Sequence, residues 1–427
     1  MNEPVSPPWP RAQRHPIDAS IGQRLLAWGV ATLLCLLAGA PASFAGSDDR
    51  QDATQTWAIG QINPPTIAQY DHQTLREIVR TSIGGDLVRV RIANTFGTAP
   101  LVIGAAHIAV VNAGSSVVAG TDRILTFGGR TQVSIPQGAP AVSDPVFLHV
   151  KPLSDLAVSI YLPAVTNDET STFLQGASYV AAGDQTAAID LAGATALSEW
   201  PFVSGVSVMT AGAGAAVVAL TDSATLISQW PAALATRLNA LHIDDLGVVS
   251  AAVAGNRLLF NSAGPTGPTT QQWGQSVLTR FDRDVLAQAG VEDVIVWIGL
   301  NDLAGPGGFY PPSEQVSVDD VIAGLRQLIG RAHQYGLRIL GCTISPMGGN
   351  TSLPGFDTPA HEAARLALNQ WIRSSRAFDG VVDADLVLRD PAQPSRLLPA
   401  YDSGDHLHPN TTGGEAVANA IDLRLLR

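Results

Sequence analysis

The sequence predicts two folds in tandem: an antiparallel β-sandwich of jelly-roll type over residues 55–200, then an α/β domain with a five-stranded parallel sheet over residues 213–427. Three observations predict it. The chain has 427 residues, enough for two substantial cores. Its 41 Gly and 28 Pro point to many turns, hence to a β-rich part. The hydrophobic pattern also changes period between the two halves.

Residues 1–45 read as a secretory signal. Arg11, Arg14 and Arg24 make a basic start, Leu25–Ala40 is apolar, and Pro41-Ala42-Ser43-Phe44-Ala45 offers small residues for cleavage after Ala45. An uncleaved anchor is the alternative, although the apolar run of about 16 residues is short of the roughly 20 that span a bilayer. Cys35 follows Thr32-Leu33-Leu34 rather than small residues, which argues against a lipoprotein. Cleavage leaves Cys342 alone, so no internal disulfide is expected, and its apolar surroundings read as core packing. The expected location is secreted or periplasmic, with no stable membrane insertion after cleavage. An excess of 37 Asp+Glu over 25 Lys+Arg argues against nucleic acid or an anionic membrane as partner.

In the first half, short runs recur between turn signals: Leu87–Ala93, Leu101–Ile103, His107–Val111, Gln132–Ile135, Val146–Val150 and Leu156–Leu162. Val88, Val90 and Ile92 alternate with Arg89 and Arg91, the period of a half-exposed strand. In the second half, apolar strands are expected at Ala215–Leu220, Leu246–Ala251, Val294–Gly299, Arg338–Ile344 and Val381–Ala384. Helices are expected at Trp230–Leu241, Gln275–Ala289, Val318–Tyr335, Thr358–Ser374 and Thr412–Leu425. Continuous apolar strands separated by helices imply a parallel sheet covered on both faces. Such sheets carry their chemistry at the carboxyl ends of the strands.

Four short segments fall at those ends or in a late loop. Thr221-Asp222-Ser223 follows the first strand, where a serine opening a helix turns its hydroxyl and its own N–H toward a crevice. Taken alone it reads first as a helix N-cap and only second as a nucleophile. Ala254-Gly255-Asn256 offers a backbone N–H with no side chain in the way, or simply a tight turn. Gly299-Leu300-Asn301-Asp302 offers an amide donor for a developing oxyanion, or an Asn-Asp turn. Asp405-His406-Leu407-His408-Pro409 offers a carboxylate three residues before an imidazole, with Pro409 biasing His408 toward extended backbone. The order nucleophile, donor, donor, base on an alternating frame is the strong signal. It points to acyl transfer.

These blocks resemble the SGNH (GDSL-type) hydrolase family, named for its Ser, Gly, Asn and His. The resemblance extends to Trp230-Pro-Ala-Ala-Leu, Ala254-Gly-Asn-Arg-Leu-Leu, Arg280-Phe-Asp-Arg-Asp-Val-Leu and Tyr401-Asp-Ser-Gly-Asp-His-Leu-His-Pro-Asn. Thr126-Phe-Gly-Gly and Tyr179-Val-Ala-Ala-Gly-Asp are similar to the N-terminal β-domain of a secreted bacterial branch. The resemblance implies a flavodoxin-like SGNH domain. It also implies Ser223 as nucleophile, Asp405 and His408 completing a triad, and an oxyanion hole of Ser223 N–H, Gly255 N–H and Asn301. No cofactor and no metal are expected: His406 and His408 have no evident third ligand. The expected partner is a small-molecule or polysaccharide-linked ester.

Two features depart from the family pattern. Thr221 stands where the family has glycine, and Ser223 lies only seven positions before Trp230. A threonine is strained if that position needs positive φ. These departures leave a second reading open, a catalytically degenerate SGNH-fold protein that binds carbohydrate or another surface polymer. Transfer of the acyl group to an alcohol other than water is a third. Asp222 reads as a buttress of its turn. Trp230, Trp273, Trp297 and Trp371 are expected in the core, Trp273 being the one of the four best placed to line a pocket.

Overall fold

Val88, Val90 and Ile92 are fully buried and Arg89 and Arg91 partly exposed, so the alternating run forms the expected one-sided strand, Gly85–Ala93. The computed structural model describes residues 53–172, 176–210, 212, 214–262, 273–353 and 355–426, all within one compact unit, Asp48–Arg427. The signal-like residues 1–45 lie outside the described residues. Among those described, no helix is long and apolar enough to cross a membrane.

Antiparallel strands fill the first half. One sheet runs Ala53–Ala58, Val203–Met209, Gly85–Ala93, with Pro140–Val142 and Val146–Val150 on the far edge of Gly85–Ala93. A second has Gln73–Arg80, Asp155–Leu162 and Ala105–Ala113 at its centre. The sheets share one core, to which Val88, Val90 and Val206 contribute from the first and Leu75, Val158 and Ile160 from the second. Two strands without a clear sequence signal are central. Val203–Met209 lies beyond residue 200. Gln73–Arg80 hides its strand character because Arg76 and Glu77 are buried in it. The Arg76 guanidinium is satisfied by Ser159 Oγ at 2.8 Å and by the carbonyls of Ser115 and Ala188 at 2.6 and 2.7 Å.

The second half is the expected parallel sheet, ordered Leu246–Ser250, Ala215–Thr221, Val291–Trp297, Arg338–Cys342, Gly380–Val382. In chain order that is 2-1-3-4-5, the flavodoxin-like arrangement. All seven residues of Ala215–Thr221 are buried, as a central strand covered on both faces requires. Helices Trp230–Ala240, Val318–Gln334 and Pro359–Ser374 form where their amphipathic pattern places them. Two expected helices are interrupted. Gln275–Ala289 becomes Val277–Phe281 followed by a π-turn, Asp282–Leu286, whose Asp284 receives both Arg280 and Arg283 at 2.8 and 2.7 Å. The last helix ends at Ala420, and Asp422 then caps a 3₁₀ turn, Leu423–Leu425.

The halves meet along a polar seam. Gln55 N–H donates to the Ala289 carbonyl at 2.8 Å, and Val248 N–H to Ser82 Oγ at 3.0 Å. Arg91 reaches across to the Ala287 carbonyl and to Gln288 Oε1 at 3.2 and 3.1 Å.

Strand order reverses between Ala215–Thr221 and Val291–Trp297, since the chain leaves the first strand to one side and returns on the other. The crevice at such a reversal is where open α/β sheets bind ligands. Ser223 follows one of these strands and Asn301 the other.

Candidate active site

Ser223 is the first residue of a short helix, Ser223–Ser228. Asp222 caps it, its side chain accepting from Ala224 N–H at 3.0 Å. As the opening residue of the helix, Ser223 has no intrahelical acceptor for its N–H. The close spacing to Trp230 is accommodated by a break: Gln229 takes a left-handed conformation at φ 57°, and a new helix starts at Trp230-Pro231. Trp230 Nε1–H then donates back to Thr225 Oγ1 at 2.7 Å. The short connection therefore pins the serine helix.

Asp405 and His408 sit in a tight loop before the last helix. Asp402 bridges to Pro409, and Ser403 N–H donates to the His408 carbonyl at 3.0 Å. His408 Nδ1 lies 2.5 Å from Asp405 Oδ2, and His408 Nε2 lies 2.9 Å from Ser223 Oγ. With the Nδ1 proton donated to the carboxylate, Nε2 is the acceptor for the serine hydroxyl. Asp405 also accepts from the N–H groups of Leu407 and His408 at 3.0 and 2.9 Å. Its partial burial pushes the carboxyl up, but the His408 ring and these amides outweigh it and hold the carboxyl well below its usual range.

The two further donors face the same crevice. Gly255 has φ +62°, and a Cβ there would lie 2.7 Å from the Trp273 indole. Glycine is thus required twice, by backbone and by space. Asn301 is buried, with Nδ2 donating to the Asn256 carbonyl at 3.0 Å and to Asp222 Oδ2 at 3.2 Å. Burial pushes Asp222 up to about 6, partly offset by its bond from Ala224 N–H and by the charges of His408 and Arg280. Asp222 thus does more than buttress its own turn: it also orients Asn301.

A pocket of about 140 Å³ opens beside Ser223, lined among others by Gly255, Asn301 and His408 on one side and by Trp273, Phe309, Phe356, Leu353 and Leu407 on the other. Trp273 packs edge-on to Phe309 with centroids 5.0 Å apart, and Phe309 stacks on Phe356 at 5.8 Å. Polar groups meet an aromatic wall.

Residues 209–416 match the family model of the GDSL-like lipase/acylhydrolase family. The chain carries a domain of this family. Its class is that of a serine ester hydrolase. Among solved structures, the chain is similar to a GDSL-like lipase from Bacteroides thetaiotaomicron, at 15% identity over 49% of this chain and 87% of that one, with TM-score 0.36. It is similar too to an acetylxylan esterase, Axe2, from Geobacillus stearothermophilus, at 20% identity over 50% and 94%, with TM-score 0.37. The comparison with curated proteins found no match.

Within the GDSL-like domain, Thr221 closes the first strand and is absent from the residues at positive φ, so the expected strain does not arise. Its Oγ1 is buried without a hydrogen-bond partner among the described residues. His406 pairs with Asp402 at 2.5 Å, half exposed and away from the pocket lining. Cys342 is a buried free thiol. Trp230 and Trp297 are core, and Trp371 packs against it. Three residues in the vicinity had no role assigned from sequence. Asp302 accepts from Leu258 and Leu259 N–H at 2.8 and 3.0 Å. Arg280, fully buried, binds the carbonyls of Ala251 and Thr221 at 2.6 and 3.2 Å. Tyr310 binds the Gly255 carbonyl. A tyrosine closing a Gly-rich loop just after Asn301 was the one signal available for it.

Proposed function

We propose that the chain is an exported esterase that hydrolyses short acyl esters, of small molecules or of carbohydrate, through an acyl-enzyme on Ser223. The unbroken path from Asp405 through His408 to Ser223, with contacts of 2.5 and 2.9 Å, carries this reading. It favours a working site over the binding-only alternative. His408 Nε2 takes the Ser223 proton as Oγ bonds to the ester carbonyl carbon, and Asp405 holds the imidazolium. The carbonyl oxygen gains its negative charge among Ser223 N–H, Gly255 N–H and Asn301 Nδ2. The C–O bond to the alcohol then breaks and His408 returns the proton to it. Water repeats the sequence on the acyl-enzyme and releases the acid.

Size argues for short acyl groups. A pocket of about 140 Å³ compares with the ~150 Å³ that holds a benzene ring, and the ester itself must occupy part of it. A longer acyl chain has to leave by the pocket mouth or displace Phe309 or Phe356. Export rests on the basic, apolar and small-residue blocks of residues 1–45, with cleavage after Ala45.

Hydrolysis of p-nitrophenyl acetate, butyrate and octanoate, with a Ser223→Ala control, tests the proposal. Turnover should require Ser223 and fall sharply at the octanoate. Equal rates in protein and control sink the acyl-enzyme, and a preference for octanoate sinks the size argument. An N-terminus at Gly46 in protein recovered outside the cytoplasm tests export.

A further inference from the structure

The Gly255 loop and the Gly305–Tyr310 loop come from different connections of the sheet, yet they are locked together. Gly305 folds back against the end of helix Leu300–Ala304, its N–H on the Asn301 carbonyl at 3.3 Å. A Cβ at Gly305 would meet the Tyr310 ring at 2.4 Å, so glycine lets the tyrosine lie close over this turn. Tyr310 is almost fully buried and donates its hydroxyl to the Gly255 carbonyl. From the Gly255 side, Arg257 returns the contact: its guanidinium lies 3.8 Å from the Tyr310 ring centroid and 2.7 Å from Glu314. Arg257 is itself 1% exposed, so this cation–π contact is desolvated and strong.

The Gly255 N–H belongs to the Ala254–Gly255 peptide, and the peptide that follows it across the Gly255 α-carbon is held from both sides. Asn256 N–H closes a turn onto the Val253 carbonyl at 3.3 Å, a long bond. Tyr310 grips the carbonyl of the same Gly255–Asn256 peptide, so that peptide is bonded at both ends. The Gly255 α-carbon is meanwhile backed by the Trp273 indole. Nothing else among the described residues reinforces the long closure at this peptide's carbonyl.

We propose that Tyr310 is a positioning residue for the oxyanion hole: it holds the Gly255 N–H on target and is itself held by Arg257 and Glu314. The proposal rests on the esterase reading above. Burial pushes the phenol up, so it remains a protonated donor across the working range. A donor displaced by a fraction of an ångström stabilises the transition state less, while ground-state ester binding in the aromatic pocket is unaffected.

The test is Tyr310→Phe in the full chain, which keeps the ring and its stacking and removes only the hydroxyl. With p-nitrophenyl acetate, kcat is expected to fall ~10-fold with KM within about two-fold, short of the roughly 10²–10³ typical of losing a donor outright. Arg257→Lys, which keeps the charge and loses the planar stack, should shift kcat in the same direction by less. An unchanged kcat in Tyr310→Phe, or a raised KM with kcat retained, overturns the proposal. Ser223→Ala measured in parallel separates the two levels. If it matches the wild-type protein, the esterase reading falls and the positioning role falls with it; if only Tyr310→Phe matches wild type, the positioning role alone is lost.

Discussion

Thr221 shows how a residue that breaks a family pattern can still fit. Its backbone is extended, so the side chain costs no strain; what it costs is a buried hydroxyl without a partner. Thr221→Val should therefore keep kcat within about two-fold and stabilise the fold by on the order of 1 kcal/mol, read from urea unfolding. A lost activity in this isosteric variant would assign the hydroxyl a part in the chemistry. Asn301 is the opposite case, a side chain whose two amide N–H groups are already placed on the Asn256 carbonyl and Asp222 Oδ2, so the proposed oxyanion role requires one of them to be shared or turned. Asn301→Ala should lower kcat by roughly 10²–10³ while leaving phosphonate labelling of Ser223 measurable. A raised KM with kcat retained would mean that Asn301 only binds substrate.

Among the elements, the last helix decides where the nucleophile sits. Gly414, in helix Thr411–Ala420, passes so close to the serine helix that a Cβ would lie 1.9 Å from the Ser228 carbonyl oxygen. Glycine to alanine inside a helix ordinarily stabilises by up to about 1 kcal/mol. Here the overlap is with backbone, which cannot swing aside, so Gly414→Ala should destabilise by about 2 kcal/mol or more and lower kcat as well. A gain in the unfolding midpoint would show that the two helices can part without cost. Elements buried on one face or on both were legible in the sequence, because such burial imposes alternating or continuous apolar runs, as in Gly85–Ala93 and Ala215–Thr221. Gln73–Arg80 was not, because the buried Arg76 has its hydrogen bonds satisfied by carbonyls far along the chain. The same holds at the site. Ser223, Gly255, Asn301 and His408 were readable from their places after strands and before a helix. Tyr310, Asp302 and Arg280 act across separations of 55, 44 and 59 residues, which no local pattern announces.

Over the whole molecule, stability should depend on pH through the sandwich. Burial pushes Asp168 up to about 8, opposed by the nearby Ser171 hydroxyl, and Glu199 raises it further. Nearby Glu77 is fully buried, has neither carboxylate oxygen partnered among the described residues, and is raised well above its usual value by burial and then by Asp168. A carboxyl raised in the folded state binds its proton more tightly than in the unfolded chain. Its stabilisation is therefore complete below the unfolded value near 4 and is lost as pH rises through about 8. The thermal midpoint should fall between pH 5 and 9, and Asp168→Asn should flatten that decline; identical slopes in the two proteins would rule Asp168 out as its source.

The Ser82–Val248 bond has a consequence for how this chain can be divided. Leu246–Ser250 is the outermost strand of the parallel sheet, and Val248 offers its outward amide to Ser82 of the sandwich. At neighbouring Gly247 a Cβ would come within 2.3 Å of the Gln55 carbonyl, so the sandwich is pressed flush against that margin. An uncovered margin of this kind invites strand pairing between molecules. The β-half thus serves as a guard rail against self-association, and a hydrolase module cut free at residue 210 would meet its first difficulty in staying dispersed, before any question of substrate arises.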